Sequence, residues 1–487
     1  MADCHTEKIQ SRCNPVERNI VMDTIKAAFD SAPPAAKYRR LAHALCGMIS
    51  DGGLTAGDRL PPVRDLAYAL GVTPGTVARA YAILTDEGWA DGQVGRGTFV
   101  AAPGAAEQGA EPEYPPRNGA PDATRIALFG PSVPDMGQVG LINAAFARLA
   151  DRPAANLLNY PSRAGYAAAR EAAVRWLGAA ELGPLHHEDL VMCHGGQSGV
   201  SLVLQTVLRG ARPVVLVEEL SYPGFRRAAE LMRAEVVSVP MDGEGLIPEA
   251  LDRIVAETGA QVLCTSPEVH NPTGICTPAD RREAIARVAR RRGLHVLEDD
   301  CYRLGGRRGA TYRALLPDLG WYVASLSKGL TPALRIGFAV APREEAGALR
   351  RAAEHGFFGL ARPLADLVED MLPRADTAAM LTAIREEFGR YVRAAVNALG
   401  GFDLTWHEEV PFLWLRLPEG WRAAAFVQAA EAEGLQLRTA EDFALRDGFA
   451  PHAVRIAVNA QVSLASFEAG MLRLRGLLDN PPERIAV

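Results

Sequence analysis

The chain has 487 residues, of which 48% are hydrophobic and 23% charged, and this predicts a globular protein of two or three domains with a large core. The sequence has no run of about 18 apolar residues, so no membrane span is predicted, and no secretory leader is predicted at its start. Its seven cysteines are scattered without a C-x-x-C pair, which argues against a zinc site or a disulfide framework and indicates a reducing cytoplasm. The formal net charge of −6 gives no whole-chain indication of nucleic-acid binding, so any such binding must come from a local face.

The chain opens with an N-terminal extension, residues 1–34, whose role the sequence does not indicate beyond a short predicted helix near 21–29. A small domain is predicted to follow at 35–100. Within it, apolar residues at helical spacing predict helices at 38–50 and 62–70. The second of these is opened by a proline and ended by a glycine, as short helices often are.

A further helix is predicted directly after the glycine turn. Thr73 is a good helix cap, and Pro74 fits the first helical position because its missing N–H costs nothing there. Residues 89–92 and 98–100 flank a glycine-rich turn and predict a hairpin. Two short helices with a tight turn, followed by a hairpin, are typical of a helix-turn-helix with a wing.

The charge of this domain supports DNA binding only weakly, because seven basic residues stand against six acidic ones. The placement of three arginines is more informative. Arg64 lies on the second predicted helix, Arg79 on the third and Arg96 at the tip of the wing. The alternative is a small helical subdomain without a role in DNA binding.

The residue pattern at 60–67, 70–73 and 95–100 resembles the winged helix-turn-helix of GntR-type regulators, over about residues 36–100. Many relatives carry Ser-Arg where this chain has Thr73-Pro74, so one phosphate or base contact is absent and the operator preference is expected to differ. The resemblance implies that double-stranded DNA is contacted by Arg64, Thr73, Gly75, Thr76, Arg79, Arg96 and Gly97.

Residues 101–122 are rich in Ala, Pro, Gly and Glu and predict a semi-stiff linker to a larger domain at 123–487. There, short β-rich runs alternate with helices, which predicts an α/β domain with a mostly parallel sheet and a smaller C-terminal α/β subdomain. An arginine-rich helix at 280–292 is interpreted as a solvated face, with a contact for DNA or a partner as the alternative. The strands are predicted at 214–217, 236–239, 261–265, 295–299, 412–416 and 454–458.

Lysine is almost absent from the chain. It occurs at positions 8, 26, 37 and 328 only, and every later basic residue apart from Lys328 is arginine. Arginine can replace a solvated lysine charge, but it stays protonated and cannot form an imine. Lys328 is therefore predicted to bind a carbonyl cofactor such as pyridoxal phosphate. The alternative is the chance survival of a surface lysine.

The neighbouring motifs contain residues that could bind each part of this cofactor. A carboxylate after a buried strand, Asp299, could hold the proton on the ring nitrogen, and Tyr222 could stack on the ring. Asn271 and Tyr302 could donate to the 3′ oxygen. A glycine-rich turn before a helix predicted to begin near Val200 could bind the phosphate together with two serines and an arginine. The phosphate candidates are Gly196, Gln197, Ser325, Ser327 and Arg335.

Together the motifs at 271–274, 299–302, 325–328 and 335–337 resemble a fold-type I aminotransferase of the aspartate aminotransferase superfamily, over about residues 125–475. The resemblance implies a Schiff base on Lys328 and assigns the other residues the roles given above. It also implies that Tyr160 reaches the phosphate of a neighbouring subunit and that Arg455 grips a carboxylate of the bound amine. Gly196 stands where relatives often have serine, which removes one hydroxyl from the phosphate site.

A GntR-like head joined by a linker to an aminotransferase-like domain is the architecture of the MocR family of bacterial regulators. The resemblance implies a head-to-tail homodimer that senses an amine or amino-acid effector, which displaces Lys328 to form an external aldimine and so alters operator binding. One alternative is a catalytically active class I aminotransferase with an appended DNA-binding domain. Another is a regulator that has lost its cofactor and binds its ligand non-covalently.

Overall fold

The computed structural model describes residues 15–31, 37–86, 89–93, 97–101, 125–151, 157–160, 166–178, 182–445, 448 and 450–481. The chain divides into two compact units, Met1–Ala120 and Pro121–Val487. The division falls inside the predicted linker, most of which lies outside the described residues. In the ranges just given, every helix is too short or too polar to cross a bilayer.

The first unit packs four helices against a two-stranded hairpin. Buried apolar side chains from all four helices form one core, to which the N-terminal helix contributes Ile25 and Phe29. The short helix predicted near residues 21–29 is part of a longer helix that spans Pro15–Ser31. The elements are α1 (Pro15–Ser31), α2 (Lys37–Ser50), α3 (Val63–Leu70), α4 (Pro74–Asp86), β1 (Ala90–Gln93) and β2 (Gly97–Val100).

Local sequence signals determine the ends of these helices. Gly71 ends α3 in the left-handed region at φ 61°, which glycine adopts without a steric penalty. The backbone N–H of Thr76 donates to Thr73 Oγ1 at 3.3 Å, so the predicted cap of α4 is confirmed. α3 begins at Val63, one residue after the predicted start at Pro62, and Pro62 occupies its cap position. β1 and β2 pair antiparallel, as predicted for the wing.

The second unit is an α/β domain that begins with a short strand and ends with a helix. Its helices are α5 (Gln138–Ala150), α6 (Ala167–Leu177), α7 (Gly196–Val207), α8 (Pro223–Leu231), α9 (Pro248–Thr258), α10 (Ala279–Arg292), α11 (Tyr312–Leu315), α12 (Ala346–Phe357), α13 (Arg362–Met371), α14 (Ala375–Leu399), α15 (Ala423–Ala432) and α16 (Leu464–Asp479). Its strands are β3 (Ile126–Ala127), β4 (Leu190–Cys193), β5 (Val214–Glu218), β6 (Glu235–Val239), β7 (Met241–Asp242), β8 (Gly245–Leu246), β9 (Val262–Thr265), β10 (His295–Asp299), β11 (Gly320–Ser325), β12 (Gly337–Val340), β13 (Leu404–Thr405), β14 (Phe412–Arg416), β15 (Leu435–Gln436), β16 (Arg438–Thr439) and β17 (Ala453–Ala457).

A seven-stranded sheet in the order β4-β12-β11-β10-β9-β5-β6 forms the centre of this unit. β12 runs antiparallel to both of its neighbours, and the other pairs are parallel. Most of the strands are buried on both faces, because helices cover both sides of a parallel sheet. The predicted α/β class with a mostly parallel sheet is confirmed, and the carboxyl ends of β9, β10 and β11 meet at one edge.

A smaller four-stranded sheet, in the order β13-β14-β17-β16, forms the C-terminal subdomain. One face buries Leu413 and Ile456 against α14 and α16. Because successive side chains alternate between the faces of a strand, the opposite face carries Trp414, Arg455 and Arg438, which are paired in register across three strands. This sheet therefore presents Arg455 on the face away from its own helices.

One part of the prediction for the arginine-rich helix is wrong. Arg282 of α10 has 0% of its surface exposed, and its Nη2 lies 2.9 Å from Glu268 Oε2. Its guanidinium also donates to the carbonyls of Thr277 and Pro267. A buried guanidinium is tolerated when a carboxylate and carbonyls satisfy its donors. The helix thus has a buried anchor as well as a solvated face.

Candidate functional site

Lys328 lies in the turn that follows β11, at the edge where the parallel strands end. Its side chain is half-buried, and its Nζ lies 5.5 Å from the centre of the Tyr302 ring. In the parallel register of β10 and β11, Asp299 pairs with Val323, so the ends of these strands bring Asp299 and the Lys328 turn to the same edge. Residues separated by about 30 positions along the chain therefore share one site.

Asp299 is the last residue of β10, as the sequence predicted. Its Oδ1 accepts a hydrogen bond from the backbone N–H of Cys301 at 3.0 Å. Burial raises the pKa of this carboxyl to about 6, because a low-dielectric environment disfavours the charged form. A cationic ring nitrogen would supply the partner that the carboxylate lacks here, and it would favour ionisation.

Arg455 of β17 is held by two neutral oxygens. It is 4% exposed, and it donates to Asn271 Oδ1 at 2.5 Å and to the carbonyl of Phe129 at 2.5 Å. Among the described residues, its Nε has no hydrogen-bond partner. Phe443 and Phe412 lie 4.7 and 5.4 Å from its guanidinium carbon. Burial lowers the pKa of Arg455, which is the expected result for a cation removed from water.

The amide of Asn271 is oriented by this contact. Because its oxygen accepts from Arg455, its two N–H groups point elsewhere and are free to donate to another oxygen. The preceding residue holds the turn in place: His270 Nε2 lies 2.9 Å from the carbonyl of Leu220 and 3.4 Å from Glu218 Oε2, and its Nδ1 lies 2.7 Å from Thr273 Oγ1. This network is buried, and sequence reasoning did not identify His270 or Glu218 as parts of the site.

At the start of α7, where the sequence predicts the phosphate pocket, two glycines let neighbouring side chains lie close to the backbone. Gly195 adopts φ 80°, and a Cβ there would lie 2.5 Å from Arg335 Nη2. A Cβ at Gly196 would lie 2.4 Å from the sulfur of Cys301. The thiol therefore explains why glycine, and not serine, stands at position 196. α7 begins at Gly196, four residues before the predicted start near Val200, so the amides of Gly196 and Gln197 belong to its first turn.

Arg335 and the two serines form the other side of this pocket. Arg335 adopts φ 52°, and its Nη1 and Nη2 lie 3.4 Å from Ser327 Oγ and 3.3 Å from the carbonyl of His194. Ser325 Oγ lies 3.1 Å from the carbonyl of Ile336 and 3.1 Å from the backbone nitrogen of Ser327. The hydroxyl of Ser325 thus braces the turn, whereas Ser327 contacts the guanidinium.

Four further predicted residues have contacts of their own. Gln197 Nε2 donates to the carbonyl of Gly224 at 2.9 Å, and its buried Oε1 has no partner among the residues that the structure describes. Tyr222 caps α8, and its ring meets Phe225 edge-on at 5.6 Å. Tyr302 meets Phe412 edge-on at 5.2 Å. Tyr160, in contrast, is 80% exposed and stacks on Phe358 at 5.2 Å.

These residues fit a phosphate-bearing cofactor with a carbonyl group. Gly195 and Gly196 let Arg335 and Cys301 lie close to the backbone, the first turn of α7 presents N–H groups, and Arg335 adds a cation. Gln197 Oε1 and Arg455 Nε, which have no hydrogen-bond partner among the described residues, are buried polar atoms of the kind that a ligand satisfies.

The predicted DNA-contacting residues of the first unit lie mainly on its surface. Arg64 is exposed on α3, and Gly75 is exposed in the first turn of α4. Thr73 and Thr76 are joined by a hydroxyl contact of 2.9 Å. The guanidinium of Arg79 lies 4.1 Å from the centre of the Tyr38 ring. Gly97 begins β2 at φ 117°, and Arg96 lies outside the described residues.

Comparison with known proteins relates both units to families. Residues 133–474 match the model for aminotransferase class I and II, and residues 37–100 match that for bacterial regulatory proteins of the gntR family. The chain is 26% identical to the HTH-type transcriptional regulator YdeF of Bacillus subtilis, over 91% of this chain and 94% of YdeF. It is 27% identical to the probable rhizopine catabolism regulatory protein MocR of Rhizobium meliloti, over 64% and 67% of the two chains.

The larger unit also resembles solved structures. The α-aminoadipate aminotransferase LysN of Thermus thermophilus superimposes with a TM-score of 0.64 at 24% identity, covering 73% of this chain and 92% of LysN. A likeness at this level of identity concerns the fold.

Proposed function

This chain belongs to the aminotransferase class I and II family and carries a gntR-family domain ahead of that region. We propose that it is a pyridoxal phosphate-dependent transcriptional regulator of the MocR type. It senses an amine or amino acid and alters its own binding to DNA. The observation that carries this proposal is that one chain joins a gntR-family domain to an aminotransferase-family unit in which Asp299 and the Lys328 turn lie at the same edge of the sheet.

Lys328 would hold pyridoxal phosphate through its aldehyde, and the bound cofactor would supply an electrophilic carbon for an amine. Asp299 would keep the proton on the ring nitrogen, since a carboxylate stabilises that cation. Asn271 and Tyr302 would donate to the 3′ oxygen, and Tyr222 would pack on the ring. The first turn of α7 at Gly196 and Gln197 would bind the phosphate, together with Ser325, Ser327 and Arg335.

Arg455 binds an acidic group of the effector. Its guanidinium donates to two neutral oxygens, and Nε has no hydrogen-bond partner in the described part of the chain. A carboxylate offers a bidentate, charge-assisted partner that is stronger than either neutral oxygen. Binding therefore changes the contacts of Arg455, and this difference in affinity between two states is what biases the DNA-binding heads.

The regulator acts as a head-to-tail homodimer in the cytoplasm. Tyr160 is exposed in the single chain, beside the exposed Phe358, and from there it reaches the cofactor phosphate of the second subunit. Two heads then read repeated half-sites, which helix-turn-helix dimers commonly space by about 34–36 Å or multiples of it. Arg64, the start of α4 and the wing contact the operator.

A screen of amines and amino acids against the cofactor-loaded protein tests this function. We expect at least one compound to change the cofactor absorbance and, at the same concentration, the shift of an operator fragment in a gel. Steady-state production of a keto acid at ordinary enzyme rates, without any operator shift, would instead identify an aminotransferase. Purified protein that shows no imine absorbance after addition of pyridoxal phosphate would reject the cofactor-dependent mechanism.

A further inference from the structure

An extended segment before α3 runs beside β2 and brings Arg59 to the hairpin. The N–H of Leu60 donates to the carbonyl of Thr98 at 2.9 Å, and that of Val100 donates to the carbonyl of Asp58 at 2.8 Å. Arg59 itself forms an antiparallel bridge with Phe99. The segment before α3 is therefore hydrogen-bonded along β2, so a side chain on it is fixed relative to the wing.

The guanidinium of Arg59 lies directly over Gly97. A Cβ on Gly97 would meet Arg59 Nε at 2.8 Å and Nη2 at 3.1 Å. Gly97 also adopts φ 117°, a region that residues with a side chain rarely enter. Any residue larger than glycine would displace the guanidinium from the wing.

Arg59 is exposed, and its charge is not neutralised by its neighbour. The carboxylate of Asp58 accepts from the N–H of Thr55 at 2.7 Å and lies 3.0 Å from its hydroxyl, which holds the turn before the strand. Among the residues that the structure describes, Arg59 takes part in no ion pair. Arg64, the residue expected to contact DNA from α3, follows five positions later and is likewise exposed.

We propose that Arg59, seated on Gly97, binds a DNA phosphate at the wing, and that Gly97 serves as the seat for this guanidinium and not as a DNA contact of its own. A guanidinium binds phosphate oxygens through a planar pair of N–H donors, and the flat surface of a glycine lets that plane lie against the backbone. This inference rests on the DNA-binding part of the proposed function.

Binding of the full, cofactor-loaded chain to a labelled mixed-sequence 30-base-pair duplex, measured by anisotropy between about 50 and 200 mM salt, tests the contact. Arg59→Gln is expected to lower the log–log salt slope by about 0.9 and the affinity by about tenfold. Arg59→Lys should keep the slope, because it keeps the charge. Lys26→Gln on α1 removes one exposed charge from the same unit and should change neither quantity. An Arg59→Gln variant with unchanged slope and affinity overturns the contact.

A double-mutant cycle tests the seat. Gly97→Ala should weaken binding about as much as Arg59→Gln, but it should cost little more in an Arg59→Gln background, where no guanidinium is left to displace. Equal losses in both backgrounds would make Gly97 a DNA contact in its own right and overturn this part. Thermal melting by circular dichroism confirms that each variant is folded. Failure of the unaltered protein to bind the duplex at all would refute DNA binding itself, which separates the two proposals.

Discussion

The two units place their functional residues in opposite environments. In the first unit, Arg64 and Arg59 are exposed and lie close together in sequence. In the second, Arg455 is buried and is hydrogen-bonded to residues 184 and 326 positions away. Exposed charges act separately and are screened by salt, whereas buried polar groups depend on one another. Substitutions of separate exposed charges in the head should therefore be additive and salt-dependent, and those in the pocket cooperative.

The largest effect is expected from Lys328→Ala. Alanine has no amino group to bond the cofactor aldehyde, so borohydride treatment followed by mass spectrometry should find no cofactor mass on any peptide of the variant. In the unaltered protein the added mass should sit on Lys328, and not on the lysines at positions 8, 26 or 37. Effector response should be lost while DNA binding persists. An intact effector response would contradict the covalent mechanism and remove the contrast between the units.

Arg455→Gln should weaken binding of an acidic effector by about 100-fold, because truncating one partner of a buried charge pair typically costs 2–5 kcal/mol. Titration of the cofactor absorbance with the effector found in the screen measures this. Arg416→Gln, on the neighbouring strand β14, serves as the control because its side chain is exposed. Equal effects of the two substitutions would mean that Arg455 contributes only general charge.

Asp299 should make the stability of the cofactor-free protein depend on pH. Its pKa is raised to about 6 from an ordinary value of 3.8, so the folded state favours the protonated form. The contribution of Asp299 to the free energy of unfolding is fully present below pH 3.8 and is lost as the pH rises through 6. The stability of the unaltered protein relative to Asp299→Asn should thus fall by about 2 kcal/mol between pH 4 and 7.

Chemical denaturation of the cofactor-free proteins at several pH values measures that difference. Loading with pyridoxal phosphate should reduce the pH dependence, because the cationic ring nitrogen pairs with the carboxylate. A constant difference between the two cofactor-free proteins across this range would place the carboxyl in contact with water and not in the buried pocket.

The smallest effect is expected from Arg64→Ala in the head. Loss of one exposed phosphate contact should lower the log–log salt slope by about 0.9 and the affinity severalfold at moderate salt. Arg64→Lys should restore the slope. Combination with Arg59→Gln should give the sum of the two changes, since separate surface contacts add. A strongly non-additive pair would break the contrast between the head and the pocket.

Sequence reasoning succeeded where the signal is local. Thr73, Pro74 and Gly71 mark the ends of helices through their own backbone preferences, and the structure has these ends where they were predicted. The register of parallel strands could not be read in this way. Nothing near Arg455 in the sequence indicates Phe129, because it comes from a distant segment.

Other misses have the same origin. Arg282 belongs by composition to a solvated helix face, and only the fold brings Glu268 to it. The start of α7 was placed too late because Gly195 and Gly196 weaken a helix signal, although the pocket needs their backbone there. Arg438 faces Arg455 through the pairing of β16 with β17, which no local pattern predicts.

The hydrogen bond from Arg455 to the carbonyl of Phe129 has a mechanical consequence. Phe129 follows β3, the strand with which the chain re-enters the larger unit after residues 101–122, and β3 pairs with β15 of the C-terminal subdomain. An anion that captures this guanidinium leaves that carbonyl without its donor, at a typical cost of 1–3 kcal/mol unless the segment shifts to find another. Binding of an anion at Arg455 would therefore strain the segment around Phe129, directly after the linker.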